Sequence, residues 1–365
     1  VAQLKDTTIN DSGFLRLPRG TTAERPTLVG SSPGMVRFNT TTQTPEWYDD
    51  ALSGWFPLGF IAPLATGGTI TNIAQNGINY RVHTFLSSGT FTASRSGTVE
   101  FLIIGGGGAG GGNLSGGGGA GGVLMGSIAV QDGTAYPIIV GDGGARFSSS
   151  EVNSQSGGQS NKGRPSSAFN LVAAGGGAGG GGSSGIEATA GASGGGGGGY
   201  QVRAAVMGLE GQGHAGGKGA TNLQNYRAGG GGGAGGPGGD WESGMGRGGQ
   251  GGPGIASSIE GSIILYAGGG GGGSYTSNTG GGLGGIGGGG GGGTNSASGG
   301  PGGAGRTNGG NGYGNNLGAV ASSLPTGGNG GANTGSGGGG VGHQTALSGA
   351  GGSGIVVIRY KTSSV

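Results

Sequence analysis

Two periodicities divide this chain. In the first, apolar residues alternate with polar ones or gather in short runs. "NYRVHTFLSSGTFTA" (79–93), "GTVEFLIIG" (97–105), "GGVLMGSIAV" (121–130), "AYPIIVGDGG" (135–144) and "SSAFNLVAAGGG" (166–177) have the alternation and β-branched content of strands. Two more such stretches lie far downstream, "SIEGSIILYAGGGG" (258–271) and "GSGIVVIRYKT" (352–362). Near the N-terminus, "PGMVRFNTTTQTPEWYDD" reads as a hairpin with strands at Met35–Asn39 and Glu46–Asp49 around a Thr-rich turn. "GWFPLGF" adds an aromatic strand at Gly54–Phe60. No amphipathic helix of useful length is present, so the pattern predicts an all-β chain.

The second periodicity is in glycine, over about residues 105–122, 175–199, 211–254, 268–316 and 327–354. Two glycines and one other residue recur, which sets the odd residues three apart: Ala120 and Val123, Pro237 and Asp240, Gln250 and Pro253, Leu283 and Ile286, Pro301 and Ala304, Asn329 and Ala332. Collagen has the inverse ratio in a strict period and is rejected. A period of three matches the extended left-handed helix with three residues per turn, whose peptide groups point sideways. Without Cβ atoms, such helices can approach closely and bond laterally as polyglycine II. A helix inside the bundle must be nearly pure glycine, as at 194–199, 268–273 and 287–293. One at the rim can point every third residue outward, the expectation for the pairs above.

Such a bundle needs anchors. Ordering a residue costs about 1–2 kcal/mol and a lateral hydrogen bond returns about 0.5–1.5 kcal/mol. Strands run directly into glycine at Ile104–Gly105, Ala174–Gly175, Ala267–Gly268 and Gly354–Ile355, and they hold the tracts at one end. A flexible linker is the competing reading. The three-residue spacing, the strand junctions and the long runs without Ser argue against it. The expected architecture is a small N-terminal β-hairpin module (1–60), a connector (61–79) and a β-sandwich-like glycine-rich domain with bundled polyglycine II helices (80–365).

Composition then removes function classes. Of 365 residues 112 are Gly and only 9% are charged, so large apolar side chains are too few for a conventional core of this length. The net charge of +2 implies no basic surface for nucleic acid or acidic lipid. With no Cys, disulfides and thiolate metal sites are excluded. "GSIILYA" is far too short to span a bilayer, and "VAQLKDTTIN" lacks the pattern of a signal peptide. His83, His214 and His343 have no second His or carboxylate at ligand spacing. Around Lys218, "GHAGGKGA" imitates a phosphate loop, but Gly219 stands where Ser or Thr is required. No nucleophile elbow stands at a strand–helix turn. Catalysis and a cofactor are not expected.

What remains are aromatics beside or within the glycine tracts: Tyr200, Tyr226, Trp241, Tyr275 and Tyr313. Polar neighbours include Asn225, Asp240, Glu242, Asn278, Asn311 and Asn315. Flat rings with adjacent amides and carboxylates suit sugar or peptide recognition. The alternative is that the rings only cover bundle edges. The candidate receptor site is Tyr200, Tyr226, Asp240, Trp241, Tyr275, Asn278 and Tyr313. The N-terminal module has too little core of its own, and Trp47, Trp55 and Phe56 need burial, which predicts a homo-oligomer through residues 1–60.

"GTTAERPTLVGSSPGMVRFNTTTQTPEWYDDALSGWFPL" (20–58) resembles the small β-module of phage fibre and appendage proteins, with Asp50 where that module usually has Gly. "YRVHTFLSSGTFT…GTVEFLIIGGGG", "YPIIVGDGG", "YAGGGGGG" and "GSGIVVIRY" are similar to the glycine-rich β-domain near the C-termini of phage and bacterial surface proteins. The resemblance implies a virion tail-fibre or receptor-binding adhesin, extracellular and homotrimeric. Residues 1–60 would dock on other virion tail proteins, and variable loops would meet a host surface glycan or outer-membrane protein. Nucleic-acid binding and membrane insertion are not expected. A purely structural glycine-rich virion or cell-surface protein is the alternative, although such proteins usually repeat one motif. Glycine-rich receptor ectodomains usually come with Cys and a signal peptide.

Overall fold

The computed structural model describes residues 17–26, 35–49, 54–58, 64–147, 161–182, 187–199, 205–220, 226–241, 246–275, 280–295, 298–314, 326–343 and 346–362. The chain divides into two compact units, with the boundary between Ala62 and Pro63. Every described element is a strand apart from a short 3-10 turn at Thr22–Glu24. The chain is all-β.

The first unit is one sheet of four strands in chain order, β1 (Arg19–Gly20), β2 (Val36–Asn39), β3 (Thr44–Asp49) and β4 (Gly54–Pro57). β1 runs parallel to β2 and the rest pair antiparallel. The two faces have opposite chemistry. On one, Glu46 is 1% exposed and accepts from Arg25 at 2.7 Å and Asn39 at 2.9 Å, with Arg37 at 3.3 Å. Burial raises its carboxyl, but the bonds from Arg25 and Asn39 outweigh it and hold the pKa below the usual range. On the other face Val36, Trp47 and Phe56 stand opposite one another with Phe38 beside them, and none is buried. Trp55 departs from the sequence expectation: it stands opposite buried Tyr48, with the rings edge-on at 5.6 Å.

The second unit begins earlier than expected. Residues 61–79 are not a connector, because β5 (Ala65–Thr66) and β6 (Thr69–Gln75) lie there as sheet strands. β6 turns into β7 (Ile78–Phe85) through Asn76 and Gly77, at φ +51° and +75°. This is the left-handed pair that a two-residue hairpin turn requires. β8 (Gly89–Ala93), β9 (Gly97–Ile104), β10 (Val123–Val130) and β11 (Ala135–Ile138) follow. The hairpins β12–β13 (Ser166–Ala168, Leu171–Ala173) and β14–β15 (Ile255–Ser257, Ile264–Tyr266) and the last strand, β16 (Ile355–Lys361), complete the set.

A five-stranded antiparallel sheet, ordered β10-β9-β16-β7-β6, organises this unit beside a three-stranded one, β11-β8-β5. Phe101, Ile103, Val356 and Ile358 pack on Phe91, Ile138 and Phe169 on one side. Leu102, Ile104, Ile355 and Val357 pack on Ile259, Tyr266 and Ala120 on the other. Burial on both faces is why "FLII" and "IVVI" are unbroken apolar runs. Hairpin β14–β15 is tied in by Glu260, which takes the Tyr266 hydroxyl at 2.5 Å and two bonds from Arg306 at 2.9 and 3.1 Å.

The glycine tracts continue the strands. The last rungs between β9 and β10 pair Ile104 with Val123. The N–H groups of Gly105, Gly108 and Gly111 then donate to the carbonyls of Gly122, Gly119 and Gly116. Between those positions, Gly106 and Ala109 donate to Arg164 and Asn161, and Gly107 and Gly110 to Gly352 and Gly349. The N–H groups of this tract thus reach three neighbours in rotation and return to the first every third residue. Tract 268–273 lies inside: its N–H groups reach tracts 249–252, 115–118 and 290–293. Its carbonyls accept from tracts 228–234, 282–285 and 337–340.

The outward positions mostly agree with this pattern. Pro237, Asp240, Gln250, Pro253, Ile286, Pro301, Ala304, Asn329 and Ala332 are exposed, and Leu283 is half-buried. Ala120 and Val123 are the correction. Both are buried, because their tract ends against the apolar face of the large sheet. Nor is 287–293 one straight run. Gly287 and Gly288 have φ of +107° and +101° and reverse the chain before the tract resumes at Gly289.

Two measurements test this packing. A Cβ on Gly270 would fall on the Gly338 carbonyl, nearer than the 3.0 Å that real Cβ atoms respect. Gly270→Val should therefore cost more than about 3 kcal/mol or abolish folding, because the obstructing atoms are backbone. Ala304→Val at the rim should stay within about 0.5 kcal/mol. Equal denaturation midpoints for the two variants would contradict lateral bonding.

The second concerns His83, which is fully buried, with Nδ1 donating to the Gly67 carbonyl at 2.7 Å and its ring between Phe91 and Tyr360. Burial, with Arg81 nearby, pushes its pKa below 6.5 although the Gly67 bond opposes this. Because the folded pKa is depressed, its contribution is complete above about pH 6.5 and is lost as pH falls, when the unfolded chain takes up the proton. Thermal stability of the chain should drop between about pH 7 and 5, and His83→Gln should flatten that slope.

Candidate functional site

The alternating tracts place one set of tract ends at the sheets and the other set away from them. At the far end the described residues form a continuous belt. The Trp241 N–H donates to Lys218 at 3.1 Å and the Ala220 N–H to Arg227 at 2.8 Å. Arg227 bridges Ser274, and Ser274 bridges Thr294. The Thr294 N–H donates to Tyr313 at 3.2 Å. Four sequence candidates, Tyr226, Trp241, Tyr275 and Tyr313, therefore share one end of the scaffold. Tyr200 and Asn278 lie outside the described residues, as do Asn225, Glu242 and Asn315.

Within the belt the rings are not equivalent. Tyr226 and Tyr275 meet edge-to-face with centroids 5.5 Å apart, and the Tyr275 N–H donates to the Tyr226 carbonyl at 3.2 Å. His343 stacks on Tyr275 at 6.1 Å and 16°. Tyr275 and Tyr313 remain 37% and 52% exposed, enough free ring to cover the apolar face of a ligand. Trp241 is half-buried. Sequence reasoning set His343 aside for want of a neighbour. Its partner is 68 positions away, and only the register of the tracts brings the two together.

The polar candidates have another task. The Asp240 carboxylate accepts from the Lys218 N–H at 2.7 Å, and the Asn311 side-chain oxygen from Gly302 at 3.0 Å. Asn329 does the same for Ala350 at 3.0 Å, Gln212 for Ala174 at 2.8 Å and Thr189 for Ala178 at 2.8 Å. Each supplies the acceptor that a further glycine tract would have supplied, so a rim N–H is satisfied without a neighbouring chain. Asp240 holds its edge of the bundle even if one carboxylate oxygen meets a ligand. Among the described residues no cluster of His, Cys, Asp or Glu could hold a metal, and no helix is long and apolar enough to cross a membrane.

Strand-anchored glycine tracts with an aromatic far end define an all-β, glycine-rich domain. The family model described as a glycine-rich domain matches residues 85–312, more than half of the chain, and the protein belongs to that family. No curated protein matches it.

Proposed function

We propose that this protein is a phage tail-fibre or adhesin subunit whose glycine tracts are polyglycine II helices and whose far end attaches the virion to a host surface glycan or outer-membrane protein. The observation that carries this reading is the gathering of Tyr226, Trp241, Tyr275 and Tyr313 at the end away from the sheets. A scaffold whose interior is backbone leaves connecting loops free to differ without repacking a core. Its rigidity limits the entropy lost on binding. Aromatics there offer large contact areas with few rotatable bonds, and several copies per virion multiply weak contacts. Virion, host and extracellular location come from the resemblance of residues 20–58 and of the strand–glycine phrases.

A purely structural role is favoured by one observation: Tyr226, Tyr275 and His343 pack on one another and could simply cover tract ends. Adsorption separates the two readings. Tyr275→Ala and Tyr313→Ala, alone and with Trp241→Ala, should lower adsorption to host cells with the melting temperature nearly unchanged. Stability that falls in step with adsorption would establish the covering role.

The half-covered face of Val36, Phe38, Trp47 and Phe56 supports assembly through residues 1–60, with a homotrimer as the proposed state. Light scattering on the full chain should give three times the monomer mass, and Trp47→Asp should reduce it to one. A wild-type monomer would end the proposal.

A further inference from the structure

The five-stranded sheet comes apart at the end opposite its glycine tracts. β9 keeps its ladder with β10 as far as Gly97, opposite Val130, and β16 keeps its ladder with β7 as far as Lys361, opposite Tyr80. Between β9 and β16, however, the last rung is Glu100 with Arg359. Beyond it the two strands part and leave a half-enclosed cavity of about 420 Å³. That volume is near the lower end of the ~300–1,000 Å³ typical of small-molecule clefts.

Its chemistry is unlike the rest of the surface, in a chain with only 9% charged residues. Arg359, in the cavity wall, is committed: it pairs with Glu100 at 2.7 Å and donates to Gln75 at 2.8 Å and to the Ser258 carbonyl at 3.0 Å. It also lies 4.4 Å over the Tyr80 ring. Glu100 and Arg359 therefore neutralise each other within a fixed frame. Both guanidinium contacts fall on Oε2 of Glu100, so Oε1 is left to accept from a ligand hydroxyl. Two exposed cations also line the cavity, Arg95 and Lys361, and neither has a carboxylate partner among the described residues. The Thr98 and Ser127 hydroxyls complete the polar wall.

We infer that this cleft binds an acidic saccharide, its carboxylate or phosphate held by Arg95 and Lys361 and its hydroxyls by Glu100, Thr98 and Ser127. The lining is too polar for an apolar ligand, and its one carboxylate is already paired, which leaves no metal site. A half-enclosed cleft holds one sugar unit while the chain on either side continues into solvent. This site is independent of the aromatic end and lies on different elements.

The test titrates the full chain with glucuronic acid, glucose 6-phosphate, glucose and inorganic phosphate, followed by calorimetry and by NMR shifts. At least one of the two acidic sugars should bind, and the comparison tells carboxylate from phosphate. Arg95→Ala with Lys361→Ala should weaken that binding about tenfold or more, since each removes a charge-assisted bond. Both residues are exposed, so the melting temperature should hold, and Tyr275→Ala should leave the binding intact. The proposal is overturned if glucose binds as well as the acids, if the double variant binds normally, or if neither acid binds. Phosphate binding as tightly as its sugar ester would mean an adventitious ion only.

Discussion

A buried peptide group must find a hydrogen-bond partner, and in this protein that demand is met sideways. Tract 268–273 has no side chains, so its N–H and C=O groups are its only means of cohesion, and they reach six tracts around it. Everything else follows from that geometry. Glycine is required where carbonyls of neighbouring chains occupy the space of a Cβ, as at Gly270. It is dispensable where the third residue of the period meets solvent, as at Pro253 and Pro301. At the rim, where no further chain supplies an acceptor, Asp240, Asn311, Asn329, Gln212 and Thr189 supply it.

Lateral bonds alone do not offset the entropy of ordering glycine, so the bundle depends on its sheets. β16, at the C-terminal end of the described chain, is inserted between β9 and β7, more than 250 positions upstream. Its insertion encloses every tract between Gly105 and Gly354 within one closed loop. The Arg359–Glu100 pair and the bonds of Tyr360 to Ala65 fasten that closure. Contacts of such separation close long loops before they are rewarded, which favours slow folding of the sheet and of the bundle it anchors.

Under the proposed function, the same division would separate stability from display. The sheets and tracts carry the hydrogen-bond network, whereas the far tract ends carry exposed rings that the network does not consume. Substitution at those ends leaves the six-fold bonding of the interior untouched. In this reading the first unit supplies assembly through the Val36–Trp47–Phe56 row, and its opposite face is sealed by the Glu46 network.

Much of this was legible in the residues alone. Strand alternation located the main strands of the large sheet, and the two-in-three spacing marked which tract residues would face out, because side-chain direction in a three-residue period is a local property. The β6–β7 hairpin was missed: the polar run "TITNIAQ" read as part of a connector, and the Asn76–Gly77 turn after it was not recognised as a hairpin signal. Tertiary structure decided what local period cannot express, namely what lies in the direction a residue points. It put sheet rather than water beside Ala120 and Val123, and a backbone N–H beside Asp240. It made a reversal of Gly287–Gly288 and set His343 on Tyr275. Each of these depends on which distant tract is the neighbour. Nearly identical glycine tracts hold no information about that choice, which the strands at their ends and the side chains between them make.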